Sequence, residues 1–76
     1  MMEVGKTYTV RHQRKGTFDL LVKSVMPDQT DDIWVVGIVL HGVTFALLPE
    51  NIKRPGDKIT VRLDLMTYEE ITDAEV

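Results

Sequence analysis

Residues 7–25, TYTVRHQRKGTFDLLVKSV, constrain the fold more than any other part of the chain. Side chains on a strand point alternately to opposite faces, so an apolar residue at every second position marks one buried face. Tyr8 and Val10 alternate in this way, and Phe18, Leu20 and Val22 do so again further on. Between them lies Arg11-His12-Gln13-Arg14-Lys15-Gly16, a polar segment that ends in glycine. The stretch predicts a β-hairpin with a basic tip.

Residue choice extends that reading to the whole chain. Val, Ile and Thr number 23 of 76 residues, whereas Ala appears only at positions 46 and 74. β-branched side chains fit a pleated surface and lose rotamer freedom in a helix, so the balance predicts an all-β fold. A third strand is expected over residues 33–40, with Ile33, Val35 and Val39 on one face and Trp34, Val36, Ile38 and Leu40 on the other. His41-Gly42 reads as a tight turn into a fourth strand, residues 43–48, with Phe45 on the core face. After the turn Arg54-Pro55-Gly56-Asp57, residues 58–66 alternate as a fifth strand, with Ile59, Val61, Leu63 and Leu65 on one side.

Five short strands in one small domain (residues 1–76) predict a five-stranded antiparallel barrel over residues 4–66, because closure removes unpaired edges. An SH3-like barrel fits the strand count; an OB-like barrel, which usually needs more chain and a helix, is the alternative. Residues 67–76 form a short acidic tail, where Thr67 and Glu70 have capping-box spacing.

With no cysteine, the chain has neither a disulfide framework nor a cysteine zinc site. An apolar fraction of 43% is enough for an ordinary core. No apolar run approaches the roughly 18 residues of a membrane span, so the chain reads as soluble and cytoplasmic. The net charge of −3 is unevenly placed. Up to Met26 there are five basic residues against two acidic ones; from Pro27 onward there are four against ten. The basic end can attract a polyanion or an acidic partner, although a dedicated nucleic-acid binder is more often basic throughout.

Catalysis has little support. Ser24 is the only serine, His12 and His41 sit on different predicted turns, and no nucleotide, metal-protease or cofactor motif is present. Asp28, Asp31 and Asp32 do not match a calcium loop, which places ligands at alternate positions and ends in Glu. Aspartates also favour turns through their own backbone hydrogen bonds, and that is the reading adopted. No cofactor is expected.

The segment GKTYTVRHQRKGTF, the mid-chain strand and the turn Pro55-Gly56-Asp57 together resemble small, largely uncharacterised barrel proteins of phages and prophage-like elements. Gly5, Tyr8, His12, Arg14, Lys15, Gly16 and Phe18 carry the likeness. The resemblance implies an SH3-like fold and a mobile-element context. It implies no activity.

Two surfaces are candidate sites. The strand at 33–40 is apolar on both faces, yet a small barrel has one interior, so Trp34, Val36, Ile38 and Leu40 need further cover. Met66, Tyr68 and Ile71 can supply it, or Gly37 can bend the strand so that both faces turn inward. Otherwise those four side chains form a contact for a protein partner or a second copy. The second surface is the basic hairpin of Arg11, His12, Arg14 and Lys15, with Lys23 nearby in sequence. It is expected to be solvated, with His12 exposed, or to flank an acidic partner. A weak nucleic-acid contact through its phosphate-binding cations is the alternative function.

Overall fold

The computed structural model of the protein describes residues 2–72. Five strands run in chain order: β1 (Thr7–His12), β2 (Gly16–Pro27), β3 (Ile33–Gly42), β4 (Lys58–Arg62) and β5 (Met66–Glu70). They pair antiparallel in one sheet of order β4-β3-β2-β1-β5. Two 3₁₀ turns, Pro49–Asn51 and Leu63–Leu65, complete the regular structure among the described residues. The fold is all-β, as composition predicts. Among the described residues no ladder joins β4 to β5, so the sheet is open and both are edge strands.

The alternation in residues 7–25 becomes the β1–β2 hairpin, with register running from Thr7↔Leu21 to His12↔Gly16. Tyr8, Val10, Phe18, Leu20 and Val22 all turn to one face and are buried. Val35 and Val39 of β3, Ile59 and Val61 of β4 and Met66 of β5 join them, and Met2 packs into the same cluster. Among the described residues no helix covers this face. The sheet must therefore curl over its own apolar side chains to exclude water from them.

Two register slips in the β2–β3 ladder allow that curl. They leave Leu40 on β3 and Lys23 on β2 without a partner, and an extra residue bends a strand and increases its twist. Gly37 is buried on the inner face; a Cβ there would strike the Leu21 carbonyl oxygen and stand 2.7 Å from Leu20 Cδ1. Its bare backbone lets Leu20 pack across the ladder.

Three expectations are corrected. Residues 43–48 form no strand. β3 instead continues through His41 and Gly42, which pair with Asp19 and Phe18, and the chain then leaves the sheet. Phe45 is consequently exposed rather than in the core. The stretch 58–66 breaks after Arg62 at the second 3₁₀ turn, which redirects the chain from β4 to β5. Most of the presumed start of the tail is strand: Thr67, Tyr68, Glu69 and Glu70 pair with Arg11, Val10, Thr9 and Tyr8. Cross-strand bonding to β1 and burial of Met66 outweigh the weak capping-box signal. The last four tail residues, 73–76, lie outside the described residues.

Candidate functional site

The basic tip is organised by its histidine. His12 is buried, not exposed as the sequence reading expects, and its Nδ1 accepts hydrogen bonds from the backbone N–H groups of Arg14 (3.1 Å) and Lys15 (3.2 Å). An Nδ1 that accepts leaves the ring proton on Nε2. Burial lowers the pKa of the ring below its usual value, and the neighbouring Lys15 and Arg14 charges lower it further. The neutral ring thus pins the turn that carries two cations. The Gln13 N–H also donates to the Leu65 carbonyl (2.9 Å), which fixes the tip against the second 3₁₀ turn.

The segment after β3 crosses this tip. The Phe45 N–H donates to the Lys15 carbonyl (3.0 Å). One residue earlier, buried Thr44 donates its N–H to the Lys53 carbonyl (3.0 Å), while its Oγ1 accepts from the Lys53 N–H (2.8 Å). This reciprocal pair clasps the two arms of the loop. Phe45, Leu47 and Leu48 are left facing outward, and Leu47 is completely exposed at 102%.

Between the crossing loop, the tip and strand β4 lies an open groove of about 950 Å³. His12, Arg14 and Lys15 of the tip line it, as do Phe45, Leu47, Leu48 and Lys53 of the loop. Residues 59–62 of β4 line it together with Trp34 and Leu65. Among the described residues four cationic side chains (Arg14, Lys15, Lys53 and Arg62) line the groove and no carboxylate does. Arg62 is ion-paired with Asp64 (2.7 Å) and Asp32 (3.6 Å), so in a protein of net charge −3 the local positive charge of the groove rests on Arg14, Lys15 and Lys53.

Trp34 is half-buried at the rim. Its Nε1–H donates to Asp28 Oδ2 (2.9 Å), and the Arg62 guanidinium carbon stands 5.9 Å from the ring centroid. Arg62 is itself held by Asp64, with Nε–Oδ1 at 3.1 Å and Nη2–Oδ2 at 2.7 Å. Asp28 also accepts from Thr30 N–H (2.8 Å), Thr30 Oγ1 (2.8 Å) and Asp32 N–H (3.1 Å) through Oδ1. The Trp34 bond, then the Thr30 bonds, lower the Asp28 pKa to about 2. The aspartates at 28–32 are thus a turn that orients an indole. Among the described residues no group of three or more His, Cys, Asp or Glu side chains is placed to hold a metal ion.

The structure brings Trp34, His12, Arg14 and Lys15 to one groove, although the sequence assigns them to two separate sites. Val36, Ile38 and Leu40 do not line it; they are half-buried on the outer face of β3, with Leu40 at the bulge. Arg11 and Lys23 are exposed elsewhere on β1 and β2. Nor do Met66 and Tyr68 cover Trp34: Met66 enters the core, and Tyr68 meets Tyr8 edge to face at 5.5 Å. The sequence reading misses Phe45, Leu47, Lys53 and Arg62. The apolar residues at successive positions in FALL were the available signal, since one sheet face cannot bury both parities.

No helix among the described residues is long and apolar enough to cross a membrane. Compared with protein-family models, curated proteins and solved structures, the chain has no match.

Proposed function

We propose that the protein is a non-catalytic binding module that docks an acidic protein surface in the groove between the hairpin tip and β4. The observation that carries the reading is the lining itself: Trp34, Phe45, Leu47 and Leu48 beside Arg14, Lys15 and Lys53, with no carboxylate among the described residues that line the groove. Aromatic residues and Arg are enriched in the centres of interfaces, and an exposed Leu of this kind regains about 1.5–3 kcal/mol on burial. Complementary charge would steer the partner and fix its orientation. An SH3-like barrel is the fold reading that accompanies this function. Its support is the strand order, with edges β4 and β5 linked by a single 3₁₀ turn, and the two bulges that bend β2 and β3. The resemblance of the first hairpin supports an accessory role in a phage or mobile element.

Binding of single-stranded nucleic acid is the second reading, favoured by Phe45 and Trp34 lying near Arg14, Lys15 and Lys53. It ranks lower because Asp28 and Arg62 already engage Trp34, and Leu47 and Leu48 offer no stacking surface.

Capture on immobilised protein, with bound partners mapped by cross-linking, tests the proposal. Leu47→Glu leaves folding unchanged because the side chain is fully exposed, and it is expected to abolish capture. Cross-links outside the groove, or capture retained by Leu47→Glu, would overturn the docking site. Oligonucleotide binding that falls steeply with salt and disappears in the Arg14→Glu/Lys15→Glu double variant would establish the second reading. Light scattering over a concentration series separates a foreign partner from a second copy.

A further inference from the structure

We infer, resting on that docking reading, that the groove accepts an extended acidic segment which adds to β4 as a sixth antiparallel or parallel strand. Ile59 and Val61 line the groove, yet their side chains are buried in the core at 3% and 1% exposure. Successive strand residues point to opposite faces, so a groove lined by all four of residues 59–62 runs along the edge of β4 rather than over one face. β4 is an edge strand, and among the described residues its backbone bonds only to β3. A strand edge carries unpaired N–H and C=O groups at alternate residues, and it pairs readily with any extended chain that can reach it. Here the edge forms the floor of a groove, so an incoming strand would be bonded along β4 and flanked by Phe45 and Leu47.

Charge selects the occupant. Arg14, Lys15 and Lys53 face the groove, and Lys58 and Arg62 occupy the exposed face of β4 with Thr60 between them. Like charges placed opposite one another across strands are destabilising, so a basic segment is rejected and an acidic one is favoured. Because strand side chains alternate, the favoured sequence has acidic residues on one parity, opposite Lys58, since Arg62 is already held by Asp64 and Asp32. Apolar residues on the other parity meet Phe45 and Leu65. Polybasic peptides and nucleic acids do not supply this combination.

The probe is a library of displayed random heptapeptides, followed by titration of a synthetic version of the selected sequence. Trp34 is the only tryptophan, so its emission reports directly from the groove. Selected peptides are expected to alternate acidic and apolar residues, to lose affinity as salt rises, and to lose it again when Glu is changed to Gln. Methylating the peptide's backbone nitrogens one at a time should lower affinity about tenfold at alternate positions and leave the intervening positions unaffected. A selected peptide that tolerates every N-methyl group, or contains no acid, overturns strand addition. If Leu47→Glu still abolishes its binding, the docking reading survives that result. No selected peptide at all overturns strand addition, and oligothymidylate perturbing Trp34 in that case overturns the docking reading as well.

Discussion

Phe45 rests against Gly16 so closely that a Cβ at position 16 would stand 2.6 Å from its Cε2 and 2.7 Å from its Cδ2. Gly16 also has φ +83°, a conformation that side chains rarely adopt. A single glycine thus serves both the hairpin turn and the seat of the loop that walls the groove.

Gly16→Ala is expected to cost more than Gly5→Ala in urea unfolding. Gly5 has φ +89° with nothing within 4 Å of its Cβ position, so its substitution measures the conformational cost alone, roughly 1–2 kcal/mol. Repeating both in a Phe45→Ala background should bring the two costs together, because the clash is then gone. Equal costs in the wild-type background would mean that Phe45 moves aside freely.

His12 makes stability depend on pH. Its pKa is lowered from 6.5 in the folded chain, so protons bind the unfolded chain first. Stability from the neutral ring is fully present above about pH 6.5 and is lost as the pH falls through the lower folded value. His12→Asn keeps an acceptor near the Nδ1 position without titrating there. Thermal unfolding between pH 7 and 5 should show a drop for the wild type and a flatter profile for the variant.

Trp34→Phe removes the largest cause of the low Asp28 pKa. The Asp28 carboxyl resonance should then titrate closer to its ordinary 3.8, without reaching it, because the Thr30 and Asp32 donors remain. In the wild type the indole N–H resonance should shift as the pH falls toward 2, when the carboxylate that holds it is protonated.

Thr44→Val keeps the side-chain shape but leaves the Lys53 N–H without its partner. A buried unsatisfied donor costs about 1–3 kcal/mol, so unfolding should shift by that order. Amide exchange at Lys53 and Phe45 should quicken even under conditions where the sheet is intact.

The sequence carries the sheet better than the groove. Period-two burial marks β1, β2 and β3 within a few residues, because Tyr8, Val10, Phe18, Leu20 and Val35 each meet the same core. His41-Gly42 misleads as a turn because a bulge at Leu40 lets β2 and β3 stay paired past it. β5 is hidden because only Met66 and Tyr68 alternate in MTYEE, and its partner β1 lies at the opposite end of the chain. The groove is hidden for a related reason. Its walls come from residues 12–15, 45–53 and 59–62, and no local pattern announces that a loop will cross a hairpin.

The pairing of Tyr8 with Glu70 also bears on how the protein is made. On the ribosome, β1, β2 and β3 can assemble as soon as they emerge, since their contacts are between neighbours in sequence. The outer edge of β1 has no partner until β5 leaves the exit tunnel. Contacts between distant parts of a chain form slowly, so synthesis includes an interval in which half of the hairpin is open to other nascent chains. A ribosome stalled before residue 66 would display that edge, and emergence of residues 66–70 from the tunnel would close it.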